Sequence, residues 1–161
     1  MGTSFVSVNG EHGFWMRDST LELWLRLLTL HIPEPTDNDS PATHQLTRQI
    51  RDQWLLASKG YFGGCVPDGM EDAASTEQGS RIVRAAIQSL LRALESAPQL
   101  LNKDVLNLLG IEGVTFFDME TYRLVEVGHA FLGLLNGEIK GTASSTAFMP
   151  GSTPVPNQSL R

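Results

Sequence analysis

The sequence is short of several things, and each shortage excludes a class of protein. Of its 161 residues one is cysteine, Cys65, so no disulfide can close within the chain. That disfavours a secreted, disulfide-stapled domain and points to a reducing, cytoplasmic setting. No long apolar run occurs. Residues 21–32 are the most apolar stretch, but Glu22 and Arg26 interrupt them, and the stretch is too short to span a bilayer. Residues 1–15 carry neither a basic n-region nor a long apolar run, so no signal peptide is expected. The chain begins Met-Gly, but Val6 stands where the myristoylation pattern requires Ser or Thr.

Positive charge is also scarce. Twelve Lys and Arg face eighteen Asp and Glu, for a net charge of −6. The charges are spread evenly and no stretch forms a basic stripe. Binding to a phosphate backbone is therefore not expected, nor is a membrane partner. An acidic surface suits a basic protein partner; it is also what a plain solvated surface looks like.

Patterns that carry chemistry are missing as well. The histidines are His12, His31, His44 and His129. No two of them have helical His-x-x-x-His spacing, and there is no Cys-x-x-Cys. No Gly-x-Ser-x-Gly elbow occurs. Gly60, Gly63 and Gly64 are not followed by Gly-Lys-Ser/Thr and do not form Gly-x-Gly-x-x-Gly; they read as a turn that needs positive φ. Internal repeats and heptad arrays are absent too. Two weak patterns remain. Glu126 and His129 form Glu-x-x-His on a predicted helix, the i, i+3 spacing of di-iron bundles, which also require a second copy and two further carboxylates. No second copy exists, so an exposed polar pair is expected, with no metal and no cofactor. Cys65, with His44 or His129 as base, is the one arrangement for a reactive thiol; a small buried packing cysteine is the preferred reading.

What is present is a globular balance, 41% hydrophobic and 19% charged, on a length that suits one domain with a sizeable core. Pattern and punctuation place five helices. The first covers residues 19–31, capped by Asp18 or Ser19 with Glu22 completing a capping box, and stopped by Pro33. The second follows Ser40 and Pro41 and ends at Gly60. The third follows a Ser75–Gln78 capping box and carries Ile82, Val83, Ala86, Ile87, Leu90, Leu91 and Leu94 on one face. A short fourth, residues 103–109, starts at Asn102 and stops at Gly110. The fifth, residues 119–136, is capped by Asp118, with Tyr122, Val125, Ala130, Phe131 and Leu134 inward. Residues 5–8 and 114–117 are β-like and can pair as two strands. From Gly141 to the end the chain is Gly, Ser, Thr, Ala and Pro apart from a few bulkier residues such as Phe148 and Met149; it reads as a tail, residues 141–161, behind a helical domain of residues 1–140. The expected fold is a mostly α, single-domain bundle.

The best surface candidate is the glycine-rich loop Tyr61–Ala74, which sets Tyr61 and Phe62 near Asp68, Glu71 and Asp72. Aromatic anchors beside steering charges suit a protein interface. An acidic connector whose aromatics tuck into the core is the plainer reading. In type only, a small, acidic, helical protein without a catalytic constellation resembles bacterial toxin-neutralising immunity proteins; no residue carries that resemblance, so it transfers no site. The expectation is a protein-binding module that masks a toxin or enzyme, rather than an enzyme. The alternatives are a ligand-binding or catalytic domain with a pocket lined by Trp24, Trp54, Glu126 and His129, and a subunit of a larger assembly with the tail as an arm.

Overall fold

The computed structural model describes residues 2–109 and 117–152. It opens with an antiparallel hairpin, β1 (Thr3–Ser7) and β2 (Gly13–Arg17), in which Phe5 lies opposite Trp15 and Val6 opposite Phe14. Strand alternation divides the side chains. Ser4, Val6, Phe14 and Met16 are buried, while Phe5 and Trp15 stack at 5.3 Å on the outer face. The turn is fastened by Asn9, whose Oδ1 accepts from the Glu11 and His12 N–H groups, and Gly10 takes φ 76. Among the described residues the partner of the first strand is β2, whereas the pattern suggested residues 114–117. Of those, 114–116 lie outside the described residues.

Six helices follow among the described residues, one more than expected. They are α1 (Asp18–His31), α2 (Pro41–Ala57), α3 (Met70–Ala74), α4 (Glu77–Glu95), α5 (Lys103–Asn107) and α6 (Thr121–Leu135). Two short strands, β3 (Leu100–Leu101) and β4 (Met119–Glu120), pair antiparallel beside α5. The chain is a mostly α single domain, and none of its described helices is long and apolar enough to cross a membrane.

The caps explain where the helices start. Ser40 accepts from the Thr43 N–H and Pro41 occupies the first turn of α2; Asn102 accepts from the Asp104 N–H at 2.7 Å. Three expected caps are corrected. The cap of α4 is Thr76, which accepts from Gly79, and Gln78 reaches across to Thr43 instead of closing a box with Ser75. Asp18 does not cap α1; its carboxylate is drawn inward to Ser4 and Gly64. Asp118 serves the Lys103 N–H rather than α6, which begins three residues later. Of the expected inner face, Ala130, Phe131 and Leu134 are buried, with Leu124 and Val127 beside them, whereas Val125 is half-buried and Tyr122 is 52% exposed, because at about 100° per residue they fall on the other side of the helix.

One core joins these parts. Helix α4 packs on α1, α2, α3 and α6, and its buried stripe is Val83, Ala86, Ile87, Leu90, Leu91 and Leu94. Trp24 and Phe131 meet at 5.6 Å, and Phe14 meets Phe131 edge-on at 5.5 Å. Helix α6 comes close enough to α1 and α4 that a Cβ on Gly128 would stand 2.5 Å from Leu91 Cδ2 and 3.1 Å from Trp24 Cη2. The low-complexity segment contributes too. Gly13 donates to the Gly141 carbonyl and Trp15 to that of Phe148; Arg123 donates to the Gly151 carbonyl. The Phe148 ring rests on Phe14 at 5.8 Å, and Pro150 and Gly151 are buried.

Candidate functional site

Between α2 and α4 the chain has no long helical stripe. Side-chain hydrogen bonds fix it in place of apolar periodicity. Gly60 (φ 83) turns the chain out of α2. The Gly64 N–H donates to Asp18 Oδ2 at 2.7 Å, and the Val66 N–H to Ser4 Oγ at 2.8 Å; Ser4 in turn donates to Asp18 Oδ1 at 2.6 Å. Gln53 donates to the Pro67 carbonyl. Gly69, at φ 67, then admits the chain into α3, whose Met70 and Ala73 are buried. A short helix therefore stands where glycines and Pro67 suggested irregular chain.

This path creates two grooves that share Pro67, Gly69 and Asp72. One, of about 470 Å³, runs between α2 and α3 over Leu46, Ile50 and Trp54, with Gln49 and Gln53 at its side. The other, of about 370 Å³, has Phe5, Ser7 and Gly10 of the hairpin as one wall and residues 65–72 as the other. Asp68, Glu71 and Asp72 all line this second groove, and its lining holds no Lys, Arg or His. Among the described residues ion pairs join Arg51 to Glu34 and Arg81 to Glu77, and none reaches the three carboxylates. Burial pushes the Asp68 carboxyl up to about 6; the Met70 N–H, which donates to its Oδ1, pulls the other way, and the neighbouring Glu71 charge adds to the rise.

The structure thus brings three of the five interface residues together and leaves two apart. Tyr61 is 63% exposed and meets Phe62 edge-on at 6.5 Å, but neither ring lines the carboxylate groove. Cys65 is exposed at the groove, not a buried packing residue, and no histidine lines that groove. His44 bonds to the Thr36 carbonyl. The weak metal candidates are spent or outward: Glu126 Oε1 accepts from the Gly151 N–H at 3.1 Å, and His129 is exposed on α6. No group of three or more ligating side chains gathers among the described residues. Trp24 and Trp54 are both fully buried; Trp54 floors the α2–α3 groove, whereas Trp24 packs on Phe131.

Sequence reasoning missed two things. The hairpin wall was signalled by the Asn9-Gly10 dipeptide between apolar runs. The second is an apolar surface: Leu100, Val105, Leu108, Phe117 and Tyr122 are each more than half exposed, on β3, α5 and the approach to α6. Only their outward phase distinguishes them from core residues. No protein-family model, curated protein or solved structure matches the chain.

Proposed function

We propose that this chain is a protein-binding module that recognises a basic surface or segment of its partner. The observation that carries the reading is the groove on which Asp68, Glu71 and Asp72 converge with no cation in its lining. Carboxylates that line one groove without a cation favour a positive charge there, and a partner's lysine or arginine supplies it. The immunity-type reading is the case in which the partner is a toxin or enzyme that binding inhibits.

The test uses a partner isolated by co-purification with the full chain. Replacing the three carboxylates together (Asp68→Asn, Glu71→Gln, Asp72→Asn) should slow association and flatten its salt dependence, with the helical circular dichroism retained and the stability no lower than the parent's. Tyr61→Ala should speed dissociation if the ring anchors the partner. Rate constants unchanged in all variants would remove this surface from the account. A second reading, a subunit of a larger assembly, is favoured by the exposed Leu100 and Tyr122, which line one groove, and by the exposed Val105, Leu108 and Phe117, since exposed apolar surface of this kind marks contact sites. Sedimentation of Leu108→Asp against the parent chain separates it: that variant dissociates an assembly built on this face and leaves the groove untouched.

A further inference from the structure

The hairpin has two edges, and the chain itself covers one. Gly13 and Trp15 donate their N–H groups away from β1, to Gly141 and Phe148. In an antiparallel ladder, successive residues point their N–H and C=O groups to opposite sides. Phe14 and Met16 therefore face β1 and bond with Val6 and Ser4, their register partners. The same alternation aims the backbone groups of Thr3, Phe5 and Ser7 at the far side of β1. No backbone–backbone hydrogen bond outside the hairpin ladder reaches those three residues from the described chain. The strand reads Thr-Ser-Phe-Val-Ser. It lacks the charge and the proline with which natural edge strands are blunted. Phe5 and Ser7 are also the hairpin wall of the carboxylate groove.

We propose that the open edge of β1 takes an extended, basic segment of a partner protein as an added strand, with Asp68, Glu71 and Asp72 meeting that segment's lysine or arginine side chains. The inference rests on the protein-binding reading and gives it a mode. Main-chain hydrogen bonds to Thr3, Phe5 and Ser7 supply affinity, and alternate side chains supply specificity. Side chains on the outer face of the added strand meet the Phe5–Trp15 ring pair. The charge of the occupant follows from the far wall, which offers three carboxylates and no cation.

The probe is a ten-residue peptide of alternating lysine and valine, titrated into the full chain at low salt. Controls are the same peptide with glutamate for lysine, and the lysine peptide N-methylated at every second amide. The lysine peptide should bind and slow hydrogen exchange at Phe5. The glutamate peptide should not bind, N-methylation should weaken binding about tenfold or more, and neutralising the three carboxylates should weaken it by about the same factor. Equal binding of the methylated peptide, with Phe5 exchange unchanged, overturns strand addition while leaving the acidic surface as a plain electrostatic site. Failure of the lysine peptide to bind overturns the inference directly; the partner kinetics of the neutralised variant then judge the broader reading independently. If neutralising the carboxylates makes the chain associate with itself through β1, with no peptide bound by either form, the carboxylates guard the edge rather than recruit to it, and the proposal falls.

Discussion

The two edges of the β1–β2 hairpin are built from similar material and treated differently. On the β2 side a Gly/Ser/Thr-rich segment lies along the strand, tied by Gly13 to Gly141, Trp15 to Phe148 and the Trp15 indole to the Ala143 carbonyl. On the β1 side a glycine-rich loop comes just as near, but bonds elsewhere. Its Gly64 and Val66 N–H groups go to Asp18 and to the Ser4 hydroxyl. The loop therefore attaches to side chains of the buried face, and among the described residues no backbone hydrogen bond pairs the main-chain edge. The covering segment brings Phe148 onto Phe14, with Pro150 and Gly151 buried; the other brings three carboxylates to an edge it does not fill. Both segments carry apolar anchors, Phe148 on one side and Val66 and Met70 on the other; they differ in that the first bonds to the strand's main chain and the second to side chains.

The largest expected effect comes from the residue that serves the covered side. Phe14 is fully buried and touches both Phe131 and Phe148. Phe14→Ala should destabilise the fold by about 3–5 kcal/mol and open residues 141–152 to protease. Phe5→Ala, on the open edge, should cost about 1 kcal/mol, mainly the ring pair with Trp15. Denaturant midpoints measure both, and equal losses would show that the two edges are not mechanically distinct.

A middle-sized effect tests how the loop is held on the other side. The Ser4 hydroxyl is buried, donates to Asp18 and accepts from Val66. Ser4→Ala leaves the Val66 N–H without its partner, for a loss of about 1–3 kcal/mol. Hydrogen exchange at Val66 should accelerate with it. Unchanged exchange at Val66 would mean that something other than this hydroxyl fixes the loop against the sheet.

The contrast also shows what could be read from residues alone. Helices α2 and α4 were legible because their signals are local: Ser40-Pro41 at a start, Gly60 beyond an end, and the 3.6-residue recurrence from Val83 to Leu94. The mostly α class follows from such segments. Caps were less secure, since Ser75 and Thr76 are equally good acceptors and only the approach of Gly79 to Ala73 decides between them. A Cβ on Gly79 would stand 1.9 Å from the Ala73 carbonyl. The carboxylate half of the candidate groove was visible as the run from Asp68 to Asp72. Its other half was not, because Phe5, Ser7 and Gly10 lie some sixty residues earlier in the chain and are brought there by the bond between Ser4 and Val66. The exposed Leu108 and Phe117 were missed for a simpler reason: hydrophobicity marks contact, and does not say whether the contact lies within the chain.

The smallest expected effect isolates the charge at the open edge. Burial raises the Asp68 carboxyl to about 6, against about 3.8 for the ordinary group. A carboxyl whose folded value is raised binds its proton more tightly in the native state. It therefore adds stability at pH below about 4, and that stability is lost as pH rises through about 6. Asp68→Asn keeps an oxygen that can accept from the Met70 N–H and removes the charge. The variant should melt higher than the parent at pH 8, by about 1 kcal/mol once solvent screening of a partly exposed group is allowed for, and the two should converge near pH 4. Glu22, also raised by burial and by Asp18, has the same sign but is present in both chains, so it cancels in the difference. If the two curves coincide at every pH, the carboxylate is fully hydrated, and the edge of β1 faces ordinary solvated surface rather than a wall waiting for a cation.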